Sequence, residues 1–339
     1  MRGPNWAGDV VMATPGFRAL HAAFPDARRV LLLRPGLIPL LDGSPWFHEI
    51  HPVRAAGRDP VALWREARAL RRERFELGLS LPDSFSSALF LRLAGVRRVV
   101  GYARNGRSWL LHQAVPLPRD AGRRVLLARE RHVLGLVEAV GAPARGTQLE
   151  LFVTPAEEAE AEVALRAAGV DASRPIAALA PGASFGPSKL WPPAHFAAVG
   201  DALASAGAQV VIVGSPAETP LADLVREGMR AHAADLTPGA GLGRLKAVLR
   251  RARVLVCNDA GARHVAVAFG TPSVVLFGPT ALEKTNLNLE RVTALWHDVP
   301  CRPCYHRVCP IDHRCMSRLA PERAIDAALP ALHGGGPGR

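Results

Sequence analysis

Five short stretches of the 339-residue chain carry side chains suited to chemistry. The first, G-P-N-W-A-G-D over residues 3–9, sets Asp9 just ahead of the apolar run V-V-M-A. Two roles are open to that carboxylate. As an N-cap it would satisfy free amides of a first helical turn, for about 1 kcal/mol; as a general base it would face a substrate hydroxyl. The loop lacks G-x-G-x-x-G spacing and is not read as a dinucleotide site. The second stretch, A-P-G-A-S-F-G-P-S-K-L-W-P over residues 180–192, follows an apolar run. Its small residues, Ser184 among them, let backbone amides approach a phosphate, and Lys189 supplies a cation. A solvated loop lysine is the plain alternative.

The third stretch, V-L-V-C-N-D-A-G-A-R-H over residues 254–264, reads as a strand, a turn at Asp259, Ala260 and Gly261, and a helix with His264 in its first turn. Amides and the positive helix end suit a diphosphate there, although Asp259 could equally cap that helix. The fourth, L-F-G-P-T over residues 276–280, again ends a strand, with Gly278 and the hydroxyl of Thr280 following. These ingredients fit a diphosphate-linked donor held without a carboxylate cluster for a metal. The fifth holds Cys301, Cys304, Cys309 and Cys315, spaced C-x2-C-x4-C-x5-C, with His306 and His313 inside it and His297 upstream. Thiolates in a tight loop match soft metals, but this is not a paired zinc-ribbon spacing. A structural metal and a metal-free loop both stay open there. Cys257, inside a strand, reads as a small buried apolar residue.

Ligands of doubly wound sheets bind beyond the carboxyl ends of the strands, so the elements around these loops matter. Short β-like runs alternate with Ala/Arg/Leu-rich helical stretches, the pattern of βαβ units with parallel sheets. In the first half, strands are expected at 29–33, 77–81, 98–101 and 113–117, and helices at 9–23, 60–73, 84–94 and 129–140. In the second, strands are expected at 175–180, 209–213, 254–257, 273–277 and 292–296, with helices at 194–206, 218–231, 242–251 and 262–269. Turn residues across 141–155 place a boundary between an N-terminal domain, 1–150, and a C-terminal domain, 151–335. No repeat of solenoid length is present.

Composition narrows the class. Hydrophobic content of 49% with 21% charged residues describes a globular protein, and no apolar run nears the roughly 20 residues that span a bilayer. No signal-peptide pattern is visible at the start, so a cytoplasmic location is expected, where stable disulfides are not. The formal charge is +12. Lys189, Lys246 and Lys284 are the only lysines, leaving 39 arginines among 42 basic residues. A GC-rich genome accounts for such a bias. An affinity for an anionic membrane surface is the functional alternative, while no helix-turn-helix, zinc-finger or RNA-binding aromatic motif points to nucleic acid.

Taken in order along the chain, these motifs resemble glycosyltransferase family 9, the ADP-heptose:lipopolysaccharide heptosyltransferases, with the pattern of heptosyltransferase II. The resemblance implies an α/β GT-B fold, two Rossmann-like doubly wound domains facing across a cleft, the first binding acceptor and the second the ADP-sugar. It implies metal-independent, inverting transfer of heptose from ADP-heptose to the lipopolysaccharide core, on Kdo/heptose-lipid A, with no cofactor. The protein would then lie at the inner face of the inner membrane, in peripheral contact with its anionic surface. Carried onto this sequence, Asp9 is the general base and Lys189 the cation on the donor diphosphate. The N-D-x-G-x-x-H turn supplies Asp259, Gly261 and His264, beside Ala260 where the family often has serine, and Glu218 in V-G-S-P-A-E contacts the nucleoside. Ser184, Gly278 and Thr280 complete the expected donor set. Arg97, Arg98 and Arg104 are expected to meet anionic groups of the acceptor.

One departure stands out: the family has an apolar strand ahead of its first loop, and here only Met1 and Arg2 precede Gly3. Either the start is assigned too late, or the first domain lacks its central strand and leaves an unpaired slot beneath Asp9. Two competing readings remain: a related GT-B enzyme with another nucleotide sugar or acceptor, and a non-catalytic binding protein stabilised by metal at the cysteines.

Overall fold

The computed structural model describes residues 1–54, 59–120, 123–171 and 173–334. The chain divides into two compact units, Met1–Gln148 with Glu283–Leu287, and Leu149–Leu282 with Asn288–Arg339.

The first unit holds the parallel pair Val30–Leu33 (β1) and Glu49–Pro52 (β2), and the parallel three-stranded sheet Leu77–Leu79 (β3), Arg98–Tyr102 (β4) and Gln113–Val115 (β5). A two-residue antiparallel ladder, Arg119–Asp120 (β6) with Arg123–Arg124 (β7), lies apart. The expected empty slot is filled by the first three residues. Arg2 bridges Leu32 on one side and Ser80 on the other, both in parallel sense. Its N–H donates to Leu79 O at 2.8 Å, and Gly3 N–H donates to Leu32 O at 2.9 Å. Counting this rung as strand one, the order reads 3-2-1-4-5-6. Helices Ala7–Met12 (α1), Thr14–Ala23 (α2), Pro60–Ala69 (α3), Phe85–Leu93 (α4) and Arg129–Glu138 (α5) surround it.

The single helix expected over 9–23 is two. Pro15 has no N–H for the Val11 carbonyl, which takes the Thr14 hydroxyl at 2.8 Å instead. Strand β2, with its ends exposed, carries no alternation and was not legible in the sequence.

In the second unit, helix Pro155–Ala167 (α6) precedes strand Ile176–Ala180 (β8), and helix Pro193–Ser205 (α7) leads to Gln209–Ile212 (β9). Thr219–Gly228 (α8) and Ala233–Asp235 (β10) follow, then Leu242–Arg251 (α9), Val254–Asn258 (β11), Gly261–Ala268 (α10), Ser273–Phe277 (β12) and Val292–Trp296 (β13). Helices Arg314–Ser317 (α11) and Pro321–His333 (α12) close the unit. The all-parallel order β10-β9-β8-β11-β12-β13 is again 3-2-1-4-5-6, the doubly wound pattern with its switch between β8 and β11. Strands β8, β11 and β12 are buried along their whole length, as strands covered on both faces must be.

Helix α6 is an element for which the sequence reading had no expectation. Its start is a capping box: Glu157 N–H donates to Thr154 Oγ1 at 3.3 Å while Thr154 N–H donates to Glu157 Oε2 at 2.8 Å. That T-x-x-E signature was present in T-P-A-E. Glu157 also meets the buried ammonium of Lys246 at 2.9 Å, tying α6 to α9.

Candidate active site

The informative loops of the second unit leave the carboxyl ends of adjacent strands β9, β8, β11 and β12. Asn258, the buried last residue of β11, joins two of them: its Nδ2 donates to Pro181 O at 2.6 Å and its Oδ1 accepts from Trp191 N–H at 3.2 Å. One residue on, Asp259 is a charge hub. Lys189 Nζ donates to its Oδ2 and to its backbone carbonyl, both at 2.6 Å. Thr280 Oγ1 donates to Oδ2 at 2.8 Å, and Arg263 NH1 to Oδ1 at 3.2 Å. Burial alone would push this carboxyl up. The Lys189 and Arg263 charges and the bonds from Lys189 and Thr280 outweigh it and bring it down to about 2. Two cations meet one anion here, so the cluster carries a net positive charge in a dry setting, the arrangement that favours a bound diphosphate. Two hydrogen bonds from the Lys189 ammonium go to Asp259, and its Nζ lies 5.3 Å from the centroid of the Phe185 ring.

Asp259 does not cap α10. Ala260 holds the cap position, extended and without a side-chain bond, so the first-turn amides from Gly261 onward keep their donors for another acceptor. His264 sits in that turn, buried; burial first, then the Arg263 charge, push its imidazole down to about 3. It is neutral at physiological pH and contributes a polar edge without charge.

Glu218 stands at the end of the loop after β9. Its Oε2 accepts from Ser215 N–H at 2.7 Å and Ser215 Oγ at 2.9 Å, which fixes the carboxylate against Gly182 in the loop after β8. A Cβ at Gly182 would overlap that carboxylate. Ser184 is exposed in the same loop.

Gly278 and the neighbouring loops are braced by the cysteine-rich segment, a role the sequence did not disclose. Arg302 Nε donates to Gly278 O at 2.9 Å, and the amides of Cys304 and Tyr305 donate to Pro279 O at 3.1 and 3.0 Å. His313 Nε2 lies 2.7 Å from Ser188 O, and Arg307 Nε donates to Phe185 O at 2.7 Å. Gly186 adopts φ +155°, and a Cβ there would overlap the Arg307 carbonyl. All five cysteines are free thiols, Cys257 and Cys315 buried and Cys301 exposed. Among the described residues, no group of three or more His, Cys, Asp or Glu side chains is arranged to hold a metal ion.

In the first unit, Asp9 is the third residue of α1, whose cap position is Trp6 without a side-chain bond. The capping reading of Asp9 is therefore corrected: its Oδ1 faces Arg129 Nε at 3.6 Å, at the start of α5. A second charged cluster lies at Asp83, in the loop after β3. Arg104 NH1 and Arg107 NH2 approach its carboxylate at 3.2 and 3.3 Å, and His132 Nε2 at 3.5 Å. Burial raises this carboxyl, and His132, Arg107 and Arg129 together hold it below the usual carboxylate range. Arg107 is fully buried and donates to Tyr102 O, Ser80 Oγ, Pro82 O and Ser87 Oγ, stapling this loop shut. Of the three arginines expected to meet anions, Arg104 is thus spent on Asp83. Arg98 bonds Gln113, and Arg97 is exposed. Arg129, Asp83 and Arg107 were missed because no local motif marks them; their partners are distant in sequence.

The family model for glycosyltransferase family 9 (heptosyltransferase) matches residues 63–314. Lipopolysaccharide heptosyltransferase 2 of Salmonella typhimurium is 29% identical over 295 residues, covering 84% of this chain and 83% of that protein. Its Escherichia coli counterpart is 28% identical with the same coverage. Among solved structures, E. coli ADP-heptose lps heptosyltransferase II superposes with a TM-score of 0.82 at 23% identity, over 98% of this chain and 97% of that one. A glycosyl transferase family 9 protein of Veillonella parvula gives 0.83 at 19% identity, over 98% and 96%. These superpositions establish the GT-B fold.

Proposed function

The chain belongs to glycosyltransferase family 9, the heptosyltransferases, and on that premise we propose that it transfers heptose, with inversion and without a metal, from ADP-L-glycero-D-manno-heptose to the inner core of lipopolysaccharide, in the manner of heptosyltransferase II. The observation that carries the reading is the Asp259 hub with its two buried cations at the strand switch of the second unit. Asp259 holds Lys189 in place, and that ammonium with the first-turn amides of α10 takes the charge that develops on the departing ADP. Glu218, pinned by Ser215, accepts from a hydroxyl of the nucleoside.

Asp9 removes the proton from the acceptor hydroxyl as that oxygen attacks the anomeric carbon and the bond to ADP breaks. Arg129 fixes the direction of the carboxylate. A base of this kind contributes about 10²–10⁴-fold. Transfer is measured as product mass with ADP-heptose and truncated core acceptors, in excess EDTA. Asp9→Asn is expected to lower turnover by about that factor while ADP-heptose still binds; near-native turnover by the variant removes Asp9 from the role.

Among the described residues no helix is long and apolar enough to cross a membrane. A peripheral, cytoplasmic-face contact with anionic lipid accompanies the reading. It is supported by the net charge of +12 and by Phe85 and Trp109, both exposed, with ring centroids 5.8 Å apart. Trp109→Ala is expected to release the protein from anionic vesicles in a sedimentation assay, and retention equal to wild type counts against the contact.

A further inference from the structure

Arg129 directs Asp9, and its own position has no local determinant. It opens α5, whose cap residue Ala128 makes no side-chain bond, so the course of that first turn is set by what the fold brings against it. Two residues do so, from the carboxyl ends of adjacent strands. Tyr102, the last residue of β4, stacks its ring on His132, with centroids 4.2 Å apart and planes inclined by 29°. Its hydroxyl donates to His132 O at 2.8 Å. Burial first, then the charges of Asp83 and Glu138, push that hydroxyl up to about 12, so it keeps its proton at neutral pH. The approach is close: a Cβ at Gly135 would come 2.7 Å from the same oxygen. That contact accounts for a glycine inside a helix, where it costs about 1 kcal/mol relative to alanine.

From the loop after β3, the Asp83 carboxylate meets the buried His132 at Nε2, 3.5 Å away. Residues 129 and 132 are three positions apart and share a face of the helix. The contacts that hold His132 therefore also place Arg129, whose Nε stands 3.6 Å from Asp9 Oδ1. The loop that carries Asp83 is closed without His132. Arg107 closes it through Tyr102 O, Ser80 Oγ, Pro82 O and Ser87 Oγ, and Asp83 already has Arg104 and Arg107 as counter-ions. What the imidazole adds is a tie between that rigid loop and the start of α5.

We propose that His132 is a positioning residue for the transfer step: held between Asp83 and Tyr102, it sets Arg129, and through Arg129 the direction of the Asp9 carboxylate. The inference rests on the proposed role of Asp9 as the base. Its effect is on the orientation of a reacting group, so it falls on turnover and leaves binding of both substrates alone.

Two substitutions separate the polar contact from the packing. His132→Phe keeps a ring against Tyr102 and loses the nitrogen that meets Asp83; His132→Gln loses the ring and keeps an amide nitrogen of similar reach. His132→Phe is expected to lower kcat about tenfold with unchanged KM for ADP-heptose and for acceptor, and His132→Gln to recover most of that loss. In an Asp9→Asn background His132→Phe is expected to cost nothing further, because both act through one carboxylate. Native kcat in His132→Phe, equal losses in the two variants, or a loss that adds to that of Asp9→Asn overturns the role. Should His132→Phe fail to fold, Asp83→Asn removes the same contact from the other side and is read in the same cycle. Crystal structures of the variants give a readout independent of transfer. The separation of Arg129 and Asp9 is expected to open in His132→Phe and to persist in His132→Gln; an unaltered separation in His132→Phe overturns the positioning. If it opens while Asp9→Asn keeps native turnover, the positioning stands and the role of Asp9 as base falls.

Discussion

Asp259 is the side chain on which most of the second unit's chemistry converges. It anchors a lysine and a threonine from two other loops and an arginine in the first turn of α10. Removing its charge leaves Lys189 and Arg263 buried without this counter-ion, and breaking a buried pair from one side costs about 3–5 kcal/mol. Asp259→Asn is therefore expected to lower the denaturant midpoint by a corresponding amount and to abolish ADP-heptose binding. A variant with native stability and native donor affinity would show that the hub does not organise the loops. Lysine usage points the same way: in a chain with three lysines among 42 basic residues, Lys189 and Lys246 both sit in buried ion pairs. A compact ammonium fits such sites where a forked guanidinium would not.

The strands place these groups, and the loops between strand and helix aim them. Gly182 illustrates how tightly. The loop after β8 runs so close to Glu218 that no side chain fits between them. Gly182→Ala is expected to swing the carboxylate out of its Ser215 bonds and to raise the KM for ADP-heptose about tenfold, with a smaller effect on turnover; an unchanged KM would mean that Glu218 does not meet the donor. The cysteine-rich segment is a further element-level device. It has little regular structure of its own, yet through Arg302, Cys304, Arg307 and His313 it bonds the loops that carry Lys189 and Thr280.

As a whole, the molecule repeats one topology in both units, and in the first that topology depends on three residues. That rung pairs with β1 on one side and with the end of β3 on the other, and a cavity of about 450 Å³ lies beside it, lined by Met1, Leu20, Phe24, Val30, Phe47 and Leu77 among others.

Local pattern sufficed wherever the determinant was local. Five of the six parallel strands of the second unit were legible as short, mostly apolar runs, while β10, Ala233–Asp235, was not; the loops of the Asp259 hub were legible as small residues followed by Lys189, by the Asp259–His264 turn, and by Gly278 and Thr280. Ordering these along the chain identified the family. Spacing failed where a short element is held by its surroundings, as in β2, whose ends are exposed, and in the residue 1–3 rung, which is too short to show a pattern and pairs with carbonyls of the neighbouring strands. It failed also where partners are remote: Asp9 reads as a helix cap until Arg129, 120 positions away, is folded against it. Charge told the same story. The sequence carries a surplus of arginine, which composition alone cannot divide between surface and site. Folding assigns Arg107 to a staple, Arg263 to the Asp259 hub and Arg129 to Asp9. Coulomb interaction and burial depend on separation in space, which a linear pattern does not contain.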